Sequence, residues 1–143
     1  MKYLSHSAEQ TEQLGHALGA AMRGDEVLLL DGELGAGKTC LVRGLARGMG
    51  LTDAHVSSPT FVIVNEYRTA AGHSPPLRLC HMDAYRLGGD DLDSIGWDDL
   101  ASGDGVLAIE WPERLGDAIA HLEQAAPARV GRIALEHRNE MDR

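Results

Sequence analysis

The chain has 143 residues, enough to bury one proper core, and its 43% hydrophobic and 24% charged residues exclude a disordered segment. Thirteen basic against twenty-two acidic residues leave a net charge of −9, which excludes a broad basic face for gripping a phosphate backbone. No apolar run approaches the roughly 20 residues of a membrane span and MKYLSHSAEQ has no apolar signal core, so a cytoplasmic protein without membrane contact is expected, reaching RNA only through a partner protein.

The first element, SAEQTEQLGHALGAAMRG, predicts an amphipathic helix. Ser7 and Gln10 have capping-box spacing, Leu14, Ala17, Leu18, Ala21 and Met22 recur at helical intervals, and Gly24 can end the helix. VLLLDG is a continuous apolar run of the buried-strand type, and a glycine-rich loop follows it directly. TCLVRGLARGMG then puts Leu41, Val42, Leu45 and Met49 on one side of a helix and Arg43 and Arg47 on the other. Gly44 and Gly48 cost that helix about 1 kcal/mol each against alanine, which predicts close packing on a sheet.

FVIVNEY is a β-branched strand, TAAGHSPP a turn or loop, and LRLCHMD a strictly alternating strand with Leu77, Leu79, His81 and Asp83 on one face. The pair reads as a hairpin, so part of the sheet is expected to be antiparallel. DDLDSIGWDDLAS is a short acidic helical region, GVLAIEW a second buried strand, WPERLGDAIAHLEQA a turn and short helix, and ARVGRIALEH a last strand. With no internal repeat and no linker, the economical solution is a single α/β domain over residues 1–143, a mixed, partly antiparallel sheet flanked by helices. Cys40 and Cys80 have no metal or redox spacing and are expected reduced and buried; the seven histidines read as surface or packing residues rather than metal ligands.

Residues 32–39 read GELGAGKT and match G-x-x-x-x-G-K-T, the P-loop pattern, in full. Glycines allow backbone conformations that point successive N–H groups at phosphate oxygens, Lys38 reaches the terminal phosphates, Thr39 offers a hydroxyl to Mg²⁺, and the helix behind adds its positive end. Lys38 is the only lysine after Lys2 in a chain that otherwise uses arginine, and a guanidinium fork does not replace a compact ammonium between phosphates.

Guanine recognition by an Asn-Lys-x-Asp clamp is impossible because no lysine follows Lys38. Asp93–Gly96 (DSIG) matches D-x-x-G but follows acidic helical sequence and is read as accidental; ATP is expected. Two strand-end carboxylates could hold the metal, Glu110 after VLAIE and Asp83 after LRLCHMD. The more deeply buried strand favours Glu110, leaving Asp83 to orient water or couple to a partner.

With GELGAGKT, SPTFVIVNEY, HMDAYRL and AIEWPER in this order, the chain resembles the TsaE (YjeE) family, the ATPase of bacterial tRNA threonylcarbamoyladenosine biosynthesis, over roughly Leu4 to Leu115. The resemblance implies a P-loop α/β domain that binds ATP and Mg²⁺ and works with TsaB and TsaD, the latter transferring the threonylcarbamoyl group to adenosine 37 of tRNAs reading codons that begin with adenine. It assigns Gly35, Ala36, Gly37, Lys38 and Thr39 to the nucleotide and Thr39 and Glu110 to Mg²⁺. It places Thr60 near the γ-phosphate, where the alternative is a residue that simply starts a strand. Asp83 and Trp111 would belong to the working surface, although Trp111 could equally be a core aromatic and Arg86 either an active-site cation or a surface one. A small-molecule P-loop kinase and a nucleotide-dependent binding module without hydrolysis are the rival readings.

Overall fold

The computed structural model describes residues 3–33, 37–51, 64–69, 77–88 and 91–136. Their elements are α1 (Ala8–Ala21), β1 (Val27–Asp31), α2 (Lys38–Gly48), β2 (Val64–Arg68), β3 (Arg78–Asp83), α3 (Trp97–Leu100), β4 (Val106–Glu110), α4 (Asp117–Ala125) and β5 (Val130–Ala134), with short 3-10 turns before α3, after β4 and before β5. The strands form one sheet in the order β2-β3-β4-β1-β5. β3, β4, β1 and β5 run parallel, and β2 pairs antiparallel with β3, Val64 opposite Met82. The expected mixed sheet and its hairpin are therefore present.

Strand alternation divides the core into two layers. Leu28, Leu30, Leu79, Val106 and Ala108 point to one face and pack with Leu41, Val42, Leu45 and Met49 of α2. Val27, Leu29, Cys80, Met82, Leu107 and Ile109 point to the other and pack with Leu100, Leu115, Ile119 and Leu122. β4 is buried over its whole length, as its apolar run predicts.

α1 starts as its sequence predicts: Ser7 Oγ accepts from the Gln10 N–H at 3.1 Å, and Gln10 Oε1 accepts from the His6 N–H at 2.7 Å. It ends at Ala21, before Gly24, which adopts φ 117° in the turn to β1. The buried face differs from the expected one. Ala17 and Ala21 are exposed, while Gly15 and Gly19 are buried between the flanks of Leu14, Leu18 and Met22. The reason is the partner: α1 packs on α2 rather than on the sheet. A Cβ on Gly15 would collide with the Leu41 carbonyl oxygen, and one on Gly44 with that of Glu12. Gly44 and Gly48 thus admit the backbone of α1, correcting the expectation that they pack against strands. Glu12 adds ion pairs to Arg43 and Arg47 across the crossing.

Both cysteines are free. Cys80 is buried and burial pushes its thiol up, whereas Cys40 is only half-buried, since it lies on the flank of α2 away from Leu41 and Leu45. The DSIG segment forms a 3-10 turn, and Leu92, Ile95 and Trp97 around it pack against the core layer on the side of the sheet away from α2.

Candidate functional site

Register brings the chemistry to one end of the sheet. Leu30 of β1 and Asp83 of β3 both lie opposite Glu110 of β4, and His81 lies opposite Ala108. Residues two apart share a face, so His81, Asp83 and Glu110 stand on the α2 side. β1 feeds the glycine loop there, and α2 begins with Lys38 after Gly37, whose φ of 99° explains a glycine at that position.

The Lys38 side chain is held inward. Lys38 is 5% exposed, and its ammonium donates to the Gly32 carbonyl oxygen at 2.6 Å. It faces Glu110 Oε1 at 3.8 Å and lies 4.3 Å from the centroid of the Trp111 ring. A buried ammonium is costly unless it meets an acceptor, an opposite charge or an aromatic face, and this one has all three. All three partners are also ones that a phosphate could replace.

Glu110 is itself buried, 4% exposed, with Oε2 2.6 Å from His81 Nε2. His81 is fully buried and its Nδ1 has no hydrogen-bond partner among the described residues. Burial is one of the two places expected of a histidine, but the sequence reading missed that this ring meets the Glu110 carboxylate. The signal was in LRLCHMD, whose alternation puts His81 on the face of Asp83, two residues before it.

Trp111, which follows Glu110, is the non-glycine residue with positive φ among the described residues, at φ 58°. A tryptophan in the left-handed region is strained, and the strain turns its ring back over Lys38. Tyr85 packs edge-on against that ring with centroids 5.0 Å apart, and the Arg114 guanidinium lies 4.9 Å from the Tyr85 centroid. Trp111 is therefore half-buried beside Lys38 rather than in the core. Sequence reading passed over Tyr85 and Arg114 because the turns that bring them together follow different strands.

Asp83 is half-exposed at the end of β3, its Oδ1 accepting from the Tyr85 N–H at 2.9 Å. Thr39 lies in the first turn of α2, half-buried, and Arg86 is exposed. Gly35, Ala36 and Thr60 lie outside the described residues.

The donor set suits a magnesium nucleotide better than a protein-caged metal. The described residues contain no group of three or more His, Cys, Asp or Glu side chains able to hold an ion. They do offer one buried strand-end carboxylate and one loop-end hydroxyl, and Mg²⁺ commonly takes one or two protein oxygens and completes its shell with phosphates and water. No described helix is long and apolar enough to cross a membrane.

Comparison with known proteins finds relatives along most of the chain. The family model described as threonylcarbamoyl adenosine biosynthesis protein TsaE matches residues 5–143. Proteins named tRNA threonylcarbamoyladenosine biosynthesis protein TsaE are similar: one from Synechocystis is 41% identical over 119 residues, covering 80% of this chain and 72% of its own. Another from Treponema pallidum is 37% identical over 131 residues, covering 91% and 92%, and one from Bacillus subtilis is 38% identical over 111, covering 78% and 66%. The crystal structure of Bacillus subtilis YdiB superposes with a TM-score of 0.62 at 28% identity, covering 99% of this chain and 79% of that one.

Proposed function

The chain belongs to the TsaE family, whose members take part in forming threonylcarbamoyladenosine in tRNA, and from that premise we propose that it is an ATP-binding and ATP-hydrolysing component of this machinery. It acts on position 37 of tRNAs reading codons that begin with adenine through a complex of TsaB- and TsaD-type proteins, in the cytoplasm, with residues 1–143 working as one P-loop unit. The net charge of −9 supports contact with tRNA through those partners rather than directly. The observation that carries the reading is the buried Lys38 ammonium at the start of α2, held against the Gly32 carbonyl and beside Glu110.

Each residue has a task in this reading. Lys38 exchanges the Gly32 oxygen and the Trp111 face for phosphoryl oxygens, and the glycine loop from Gly35 through Thr39 cradles the phosphates with its N–H groups and the positive end of α2. Thr60 joins on the γ-phosphate side. Thr39 Oγ1 and Glu110 would hold Mg²⁺, which when bound supplies a Lewis acid for the phosphoryl oxygens. Asp83, opposite Glu110 and half-exposed, orients the attacking water. Trp111 and Tyr85 screen the cleft from bulk solvent.

Turnover by the isolated protein is slow. Arg86 is exposed, the Arg114 guanidinium lies against Tyr85, and neither pairs with Glu110 among the described residues; an arginine finger is worth roughly 10³ to 10⁵ in rate. Single-turnover phosphate release, measured with and without the partner complex, tests this: a faster rate with partners is expected, and equal rates defeat the proposal.

A further inference from the structure

Resting on the reading of Glu110 as the metal-holding carboxylate, we propose that His81 is a positioning residue that fixes the Glu110 side chain for the divalent cation. His81 and Glu110 stand on adjacent parallel strands, on the same face, two residue pairs apart along the ladder. The residue directly opposite His81 is Ala108, whose small side chain leaves the imidazole room to lean along that face to Glu110. The Nε2–Oε2 separation of 2.6 Å is that of a strong hydrogen bond. A carboxylate only accepts, so Nε2 carries the proton and donates.

The two carboxylate oxygens are thereby distinguished. Oε2 is engaged by a ring that is fully buried and locked between strands, while Oε1 is turned toward Lys38 and the loop, 3.8 Å from the ammonium and beyond hydrogen-bond length. Lys38 is too far away to set that orientation, and it is the group a nucleotide would draw away. His81 cannot leave. Its Nδ1 is buried and unpaired among the described residues, so the ring is not there to complete a polar network of its own. An apolar residue would fill the same space without a stranded nitrogen. What the histidine adds is one donor aimed at Glu110. Carboxylates that hold metals are commonly oriented in this way, and loss of the orienting group lowers metal affinity about 10- to 100-fold.

The test separates metal binding from folding and from nucleotide binding. Mn²⁺ affinity of the full chain saturated with ADP is read by electron paramagnetic resonance, and ADP affinity is read by calorimetry in EDTA. His81→Leu, which keeps bulk but lacks the donor, is expected to weaken Mn²⁺ binding about 10- to 100-fold with ADP affinity in EDTA unchanged. His81→Gln, whose amide nitrogen reaches about where Nε2 lies, is expected to recover most of the loss. Should His81→Leu not fold, His81→Asn carries the same expectation because its amide is too short to reach Oε2. Wild-type Mn²⁺ affinity in the donor-less variant, or His81→Gln no better than it, overturns the inference. Glu110→Gln separates the two levels: normal Mn²⁺ binding there removes the metal reading itself. A loss in Glu110→Gln with none in His81→Leu removes only the role of His81.

Discussion

The Lys38 ammonium lies 4.3 Å from the centroid of the Trp111 ring, so the first turn of α2 and the residue after β4 close over the same space. On the reading proposed above, phosphate binding draws the ammonium off that ring. With Trp97→Phe, Trp111 is the sole tryptophan, and its emission should change when ADP is added. An unchanged spectrum at saturating ADP would mean that Lys38 stays on the ring. The positive φ of Trp111 adds a second expectation. Trp111→Gly and Trp111→Ala lose the same packing, but only alanine keeps the backbone strain, so alanine should be the less stable by about 1 kcal/mol in urea unfolding.

Lys38→Ala and Glu110→Ala should fail differently. With Lys38 bonding phosphate as proposed, removing its ammonium is expected to weaken ADP binding at least about tenfold, with or without magnesium. Glu110→Ala should retain metal-free nucleotide binding while losing most magnesium-dependent phosphate release. A Glu110→Ala protein that hydrolyses ATP at the wild-type rate would show that another group holds the metal.

The crossing of α1 and α2 has almost no tolerance. Gly44→Ala improves helix propensity by about 1 kcal/mol but drives a methyl group into the Glu12 carbonyl, so a net loss of about 2 kcal/mol or more is expected. Gly131→Ala is the control: its added Cβ would meet the Leu28 Cδ2 atom at 3.7 Å, an ordinary contact, and should change stability by less than about 1 kcal/mol. Urea midpoints of the two variants should separate clearly; equal midpoints would mean that the helices can part without cost.

Glu26 makes stability depend on acid. Burial pushes its carboxyl up, but the N–H groups of Arg23, Gly24, Asp25 and Glu26 itself together outweigh burial and hold it below the ordinary 4.5. Its oxygens accept from Arg23 at 2.8 Å, Gly24 at 2.9 Å and Asp25 at 3.1 Å, which fixes the turn between α1 and β1. A carboxyl with a lowered folded value stabilises fully above the unfolded value and loses that contribution as pH falls through the folded one. The stability gap between wild type and Glu26→Gln should therefore be constant above about pH 5.5 and shrink below pH 4.5. A gap that widens on acidification would contradict this account.

Much of the architecture is legible without coordinates. VLLLDG before GELGAGKT, the alternation of LRLCHMD and the unbroken apolar run of β4 are local patterns, and period and continuity report which faces are covered. The same patterns name Lys38, Asp83 and Glu110 as candidates, because strand ends and glycine loops are where such sheets place ligands. They misjudge α1. Its glycines are the buried residues, and Ala17 and Ala21, expected on the buried face, are exposed, which depends on meeting the glycines of α2 far along the chain.

Strands, helices and the loop ending in Lys38 can be read from the order and chemistry of neighbouring residues. The meeting of His81 with Glu110, the place of Trp111 over Lys38 and the seating of α1 on α2 emerge only in three dimensions. Those contacts depend on the pairing of β3 with β4, on one left-handed residue and on a helix crossing. They join residues far apart in the chain, and no local periodicity encodes the distance between them.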